Sequence, residues 1–211
     1  MNDVTDLEPQ FEKLRQDMQV NHDARELALA ESRKLIQMAS KAIKLIHRQD
    51  YEGSAAILAE AQTKLKAAKG EIEHRPHVLF SGHIQDAEKE LVEALTLLEI
   101  SQSKPIPDFA ELNVSLNAYL HGIGEAASEL RRLILDDVRK GHFESAEQQL
   151  EVMNTIYEGL TTFDYPDGLT NGLRRTVDAL RAVLERTRSD LTLTQTQNEL
   201  VSELKKYNAR L

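Results

Sequence analysis

Apolar residues recur three and four positions apart along almost the whole chain, the period of an α-helix that buries one face. The pattern runs from about Leu7 to Arg48, breaks at Gln49-Asp-Tyr-Glu-Gly53, and resumes from Ser54 to about Glu73. Arg75-Pro76-His77 punctuates it again, and a third helix is expected from about His77 to Ser101. The stretch SKPIPDF, Ser103 to Phe109, is the clearest loop, because Pro105 and Pro107 lack an amide hydrogen and disfavour helix at the residue before them. A helix from about Val114 to Lys140 follows, stopped by Gly141 behind Arg139 and Lys140, and Phe143 to Thr162 gives another. Beyond FDYPDGLTNG, Phe163 to Gly172, the last helix continues from about Leu173 toward Leu211, weakest at the Thr-rich LTLTQTQ. Neither strand-like alternation nor a solenoid-length repeat interrupts this picture. The pattern predicts one all-α bundle of six or seven helices, with residues 1–211 as a single domain.

Composition agrees and removes several kinds of chemistry. The chain of 211 residues has 41% hydrophobic but only 5% aromatic residues, no Trp, 9 Gly and 5 Pro, a balance that favours helix. With no Cys it has no disulfide framework, no thiolate nucleophile and no Cys-zinc site, which suits a reducing interior. The opening MNDVTDLEPQFEKLRQDM is acidic and lacks the basic and apolar regions of a secretory signal, and no window approaches a membrane span. A cytoplasmic location with no membrane partner is therefore expected. A net charge of −9 argues against a uniformly basic nucleic-acid binder but leaves room for a local basic track.

Charge is distributed along particular helix faces. At about 100° per residue, Arg33, Lys34, Gln37, Lys41, Lys44 and Arg48 share roughly a third of the first helix, with no acidic residue among them. Such a line serves either as a solubilising face or as a track for the phosphates of a polyanion. On the third helix Phe80, Ile84, Ala87, Leu91, Ala94, Leu95 and Leu98 form the apolar stripe, with His83, Asp86, Glu90 and Glu93 along one flank. Glu88 and Glu99 fall elsewhere and read as ordinary solvated charge. On the next long helix Leu116, Tyr119, Leu120, Ile123, Ala126, Ala127, Leu130 and Ile134 make the stripe, and Glu125, Glu129, Arg132 and Asp136 run beside it. If these two helices pack antiparallel, like flanks meet and the two acidic rows face each other. Gly122, Gly124 and Ser128 would let the backbones approach closely.

Four converging carboxylates repel unless a cation joins them, so the rows are a candidate cage for Mg²⁺ or Mn²⁺, which prefer oxygen ligands. The plain alternative is solvated helix surface, and Glu144, Glu147 and Glu151 make a similar row with no claim to function. His22, His47, His74, His77, His83, His121 and His142 include no HExxH and read as surface or helix-end residues. Gly-rich phosphate loops are absent, and the few aromatics sit at core-like positions, which argues against a base-stacking platform.

Three stretches resemble the translin family, and more closely its TRAX branch (translin-associated factor X). They are Ser32-Arg33 through LIHR (Leu45 to Arg48), Phe80 followed by EKELVEA (Glu88 to Ala94), and YLHGIGEAASELRRL (Tyr119 to Leu133) with KGHFESA after it. The similarity runs in order from roughly Arg25 to Asp190. The resemblance implies a translin-like bundle of about seven helices, self-assembly into a hollow homo-octamer, and binding of single-stranded RNA or single-stranded DNA on its interior. TRAX-like chains add a Mg²⁺- or Mn²⁺-dependent endoribonuclease carried by acidic residues in segments matching EYVEA and GxxDxxxEL. By that match Glu90 and Glu93 take the first acidic pair and Glu125 and Glu129 the second, as metal ligands and catalytic residues. Arg33, Lys41, Lys44, Arg48 and His83 are the expected nucleic-acid contacts. Translin itself lacks the first acidic pair, whereas Glu125 stands where the family pattern has Asp. A non-catalytic shell that binds RNA or single-stranded DNA is thus the alternative.

Overall fold

The computed structural model describes residues 7–209; residues 1–6, where the acidic opening begins, and residues 210–211, where the last helix was expected to end, lie outside the described residues. Six long helices carry the fold: α1 (Glu8–His47), α2 (Tyr51–Glu71), α4 (Gly82–Ser101), α6 (Leu116–Lys140), α7 (Phe143–Thr161) and α9 (Leu173–Asn208). Between them lie three single turns, α3 (Pro76–Leu79), α5 (Phe109–Leu112) and α8 (Asp167–Thr170). Among the described residues there is no strand. The all-α expectation holds, with six long helices and three short turns in place of six or seven equivalent elements.

The boundaries follow local chemistry. Gln49 takes a left-handed conformation (φ 63°), and the Asp50 carboxylate then accepts the Gly53 amide at 2.9 Å, so α2 starts at Tyr51. Gly53, expected to break the helix, lies inside its first turn. The helix expected to begin at His77 is divided instead. Pro76 opens α3, and Ser81 is extended (φ −70°, ψ 155°) ahead of α4. Gly141 ends α6 at φ 81°, the conformation a glycine tolerates there. The Thr-rich stretch is helical, with Thr194 and Thr196 turning their hydroxyls back onto the carbonyls of Asp190 and Thr192, at 2.8 and 3.0 Å.

Contacts between helices give their directions. Lys69, near the end of α2, meets Glu88, near the start of α4, so α2 runs antiparallel to α4. The start of α4 pairs with the start of α6, through Glu88 and the Ser115 amide, and Lys89 meets Glu125 further along. The two helices therefore run parallel, and the antiparallel expectation is corrected. What reverses it is the segment from Gln102 to Ser115, which carries the chain back along α4. Tyr119 donates to the Pro107 carbonyl at 2.8 Å and packs edge-on against Phe109, fixing that return path. α9 is parallel to α6, joined through His121–Thr176 and Arg131–Asp190, and α7 is antiparallel to it, joined through Asp137–Ser145.

α4 and α6 form the centre of the bundle, with α1 and α2 against α4 and with α7 and α9 against α6. The buried set of α4 extends beyond the expected stripe to Val92, Thr96, Leu97 and Ile100, whereas Phe80, expected in that stripe, ends α3 and lies exposed. Glu88 is buried too, at 2% exposure, and is corrected from solvated charge to an internal anion. Its carboxylate accepts from Lys69 Nζ at 2.6 Å and from the Ser115 amide at 2.9 Å, pinning the returning loop. Leu116, expected in the core, lies exposed at the first turn of α6.

Gly122 permits the α4–α6 approach. A Cβ there would lie 2.7 Å from Val92 Cβ and 2.8 Å from the Lys89 carbonyl oxygen, and backbone has nowhere to retreat. Gly124 serves a different contact, facing Thr176 of α9. Gly122→Ala is expected to cost about 1–3 kcal/mol by overpacking, read from the urea midpoint at unchanged slope.

Candidate metal centre and nucleic-acid interface

α4 keeps one polar side, between the faces taken by its neighbours. Glu90 and Glu93 project from this side, and α6 brings Glu125 beside them. Carboxylate oxygens of Glu90, Glu93 and Glu125 all lie within 4.8 Å of one another. The acidic rows thus converge although the helices are parallel, because α6 packs against the Lys89 and Val92 side of α4 and not against the centre of the expected stripe.

The two rows converge only in part. Glu129 stands one turn along α6 from Glu125, and its Oε1 lies 2.6 Å from His47 Nε2 at the end of α1. The His47 side chain is only 3% exposed, and its Nδ1 is buried with no hydrogen-bond partner among the described residues. The Nε2–H donates to the Glu129 carboxylate. Asp136 instead pairs with Arg139 at 3.1 Å, and Asp86 lines a polar cleft with Gln85, Lys89, Asn117, His121, Glu125 and Asn171. His83 lies in a separate notch with Met18, Asn21, His22, Arg25 and His77.

Burial and mutual repulsion act together on this cluster. The Glu93 carboxyl is pushed up to about 8, first by burial and then by the charges of Glu90, Glu125 and Glu129, with Lys89 opposing. The Lys89 ammonium lies 2.8 Å from Glu125 Oε2 and 3.4 Å from Glu90 Oε1. Burial tends to lower the Lys89 pKa, but hydrogen bonding and attraction from Glu125, then Glu90, raise it above the ordinary lysine value. Three oxygen donors brought together from two helices fit a hard divalent ion.

Two residues of this centre escaped the sequence reading. His47 was grouped with surface histidines; the signal that marks it is its place in LIHR, on the flank of α1 that turns toward α6. Lys89 sits among the quoted acidic residues but off their row, and only the parallel packing brings it to Glu125. His121 is likewise internal, with Nε2 donating to the Thr170 carbonyl at 3.0 Å and Nδ1 accepting from the Thr176 hydroxyl at 2.7 Å.

Arg33, Lys41, Lys44 and Arg48 are all exposed on α1, and none has an acidic partner within 4.0 Å among the described residues. Lys34, in contrast, pairs with Glu31 at 2.6 Å. On the α1 wheel Arg33 and Lys44 lie within about 60° of His47, the residue through which α1 meets Glu129 of α6. Among the described residues no helix is long and apolar enough to cross a membrane.

The molecule is thus an all-α bundle in which three carboxylates meet between two parallel helices, with exposed cations on a third. Comparison with known proteins places it: the Translin family model matches residues 23–189, and the chain belongs to the translin family. An uncharacterised protein of Methanocaldococcus jannaschii, MJ0175, is 31% identical over 169 residues, covering 79% of this chain and 74% of that one. Among solved structures, AfC3PO in complex with duplex RNA superposes with a TM-score of 0.82 at 34% identity, covering 89% of this chain and 97% of that one. The crystal structure of AfC3PO gives the same TM-score and identity, over 89% and 98% of the two chains. Apo-NeC3PO, at 22% identity and a TM-score of 0.78 over 88% and 97%, shares the fold.

Proposed function

We propose that this chain is a TRAX-like, Mg²⁺- or Mn²⁺-dependent endoribonuclease that cuts single-stranded RNA inside a homo-oligomeric shell, of eight copies by the family resemblance. The observation that carries this reading is the convergence of Glu90, Glu93 and Glu125 from two parallel helices into one group of oxygen donors. Glu90, Glu93 and Glu125 would hold the ion, which supplies an activated water and charge stabilisation at a phosphodiester. Glu129, held by the His47 ring, would be the carboxylate left to act as a base beside the other three. Arg33, Lys41, Lys44 and Arg48 would hold phosphates along α1; His83 would meet RNA at the separate notch. Support for RNA as the ligand comes from the AfC3PO relative, whose complex is with duplex RNA.

The test is incubation of purified protein with labelled single-stranded and duplex RNA in Mn²⁺. Cleavage of the single strand, lost on adding a chelator and in a Glu125→Ala variant, is the expected result. Intact RNA under all conditions would sink the nuclease reading.

A second reading has its own support. Glu129 is engaged by His47 and stands apart from the other three carboxylates, and Glu125 replaces the family's Asp, as would suit a shell that binds RNA or single-stranded DNA without cutting. Both readings expect salt-sensitive binding. Replacing Arg33, Lys41, Lys44 and Arg48 one at a time by Ala should each flatten the plot of log affinity against log salt by about 0.7, the single-strand value per phosphate contact. Slopes unchanged in all four variants would remove this face from the interface.

A further inference from the structure

We propose that the centre takes a single divalent cation per chain and that Lys89 stands in the place of a second. This rests on the metal-centre reading above and fixes its stoichiometry. Two-metal phosphodiester sites hold their ions about 3.5–4 Å apart and share bridging carboxylates between them. Here the carboxylates that would bridge are already bridged by protein. The Lys89 ammonium reaches both Glu125 and Glu90, at 2.8 and 3.4 Å, and its side chain is mostly buried. The fourth carboxylate is no substitute ligand for another ion, because Glu129 lies outside the group of three and is bound by His47.

The position also gives Lys89 a use. It forms part of the wall of the cleft lined by Gln85, Asn117, His121 and Asn171, next to the carboxylate group. A phosphodiester drawn to the ion would find the ammonium beside it, able to hold the oxygen that does not face the ion. Lys89 is on this account a fixed positive charge that positions the phosphate, built into the helix that supplies two of the ligands.

Titration of the full-length protein with Mn²⁺, read by loss of the free-ion EPR signal without RNA, should saturate at one ion per chain. Lys89→Met should bind that ion about tenfold more tightly, since a like charge a few ångströms away has been removed. Its melting temperature should rise more on adding Mn²⁺ than that of wild type, while RNA cleavage falls at least tenfold. Lys89→Arg, which keeps the charge, should recover wild-type stoichiometry and most of the cleavage. Two ions per wild-type chain, or a folded Lys89→Met that cuts at the wild-type rate, would overturn the assignment of Lys89 and leave the metal centre standing. No Mn²⁺ bound to wild type would overturn the metal centre and this inference with it.

Discussion

Replacing Glu93 by Gln is expected to lower Mn²⁺-dependent RNA cleavage by roughly a hundredfold or more, the scale on which one preorganised electrostatic group matters, while making the metal-free protein more stable at neutral and higher pH. The two effects share a cause. In the absence of metal, burial and then the charges of Glu90, Glu125 and Glu129 push the Glu93 carboxyl from 4.5 up to about 8. Below the unfolded value both states carry the proton and no penalty exists. Between that value and about 8 the folded protein keeps a proton that the unfolded chain releases, so stability falls as pH rises through this window. The accumulated loss is on the order of a few kcal/mol. Urea denaturation of the metal-free protein at pH 5, 7 and 9 measures it. Wild type should weaken steadily relative to Glu93→Gln, whose amide has the same shape and no charge. Saturating Mn²⁺ should reverse the ranking above pH 7, because only the ionised carboxylate gains from the ion. Parallel pH dependences for the two proteins would mean that Glu93 does not carry the repulsion of the cluster.

Glu88→Ala carries the second large effect, on folding alone. This glutamate is as deeply buried as the apolar core, and it is held by Lys69 Nζ and the Ser115 amide. Removing it leaves the Lys69 ammonium only partly hydrated, strands the first amide of the α6 turn, and frees the loop that sets α6 parallel to α4. Breaking a buried pair from one side typically costs about 3–5 kcal/mol, and a loss of that size is expected in the urea midpoint. A Lys69→Met, Glu88→Leu double variant should recover part of the stability, since an apolar pair removes both charges together. A Glu88→Ala protein within about 0.5 kcal/mol of wild type, the range of ordinary surface changes, would show that the loop is held by other contacts.

These two glutamates also show where the sequence was legible. The 3.6-residue period located every long helix, and the cap chemistry of Gly141 was readable because Arg139, Lys140 and Gly141 form a local signal. α4 was harder. A helical wheel assumes one buried face, whereas α4 is covered by α1 and α2 on one side and by α6 and the returning loop on another. Glu88 therefore looked solvated, because the groups that bury it, Lys69 and Ser115, are distant in sequence. The direction of α6 was invisible for a related reason: a proline-containing connection of this length can turn the chain or carry it back, and only packing decides. That Glu90, Glu93 and Glu125 meet was nonetheless legible from their flanks. His47 and Lys89 were missed because their partners lie on other helices, at separations of 82 and 36 residues.

The most direct test of the central claim is anomalous scattering from a crystal soaked in Mn²⁺. The account predicts one peak between α4 and α6, about 2.0–2.2 Å from oxygens of Glu90, Glu93 and Glu125, the range of tightly held small divalent ions. Density empty at that position, with Mn²⁺ bound elsewhere on the chain or not at all, would contradict it.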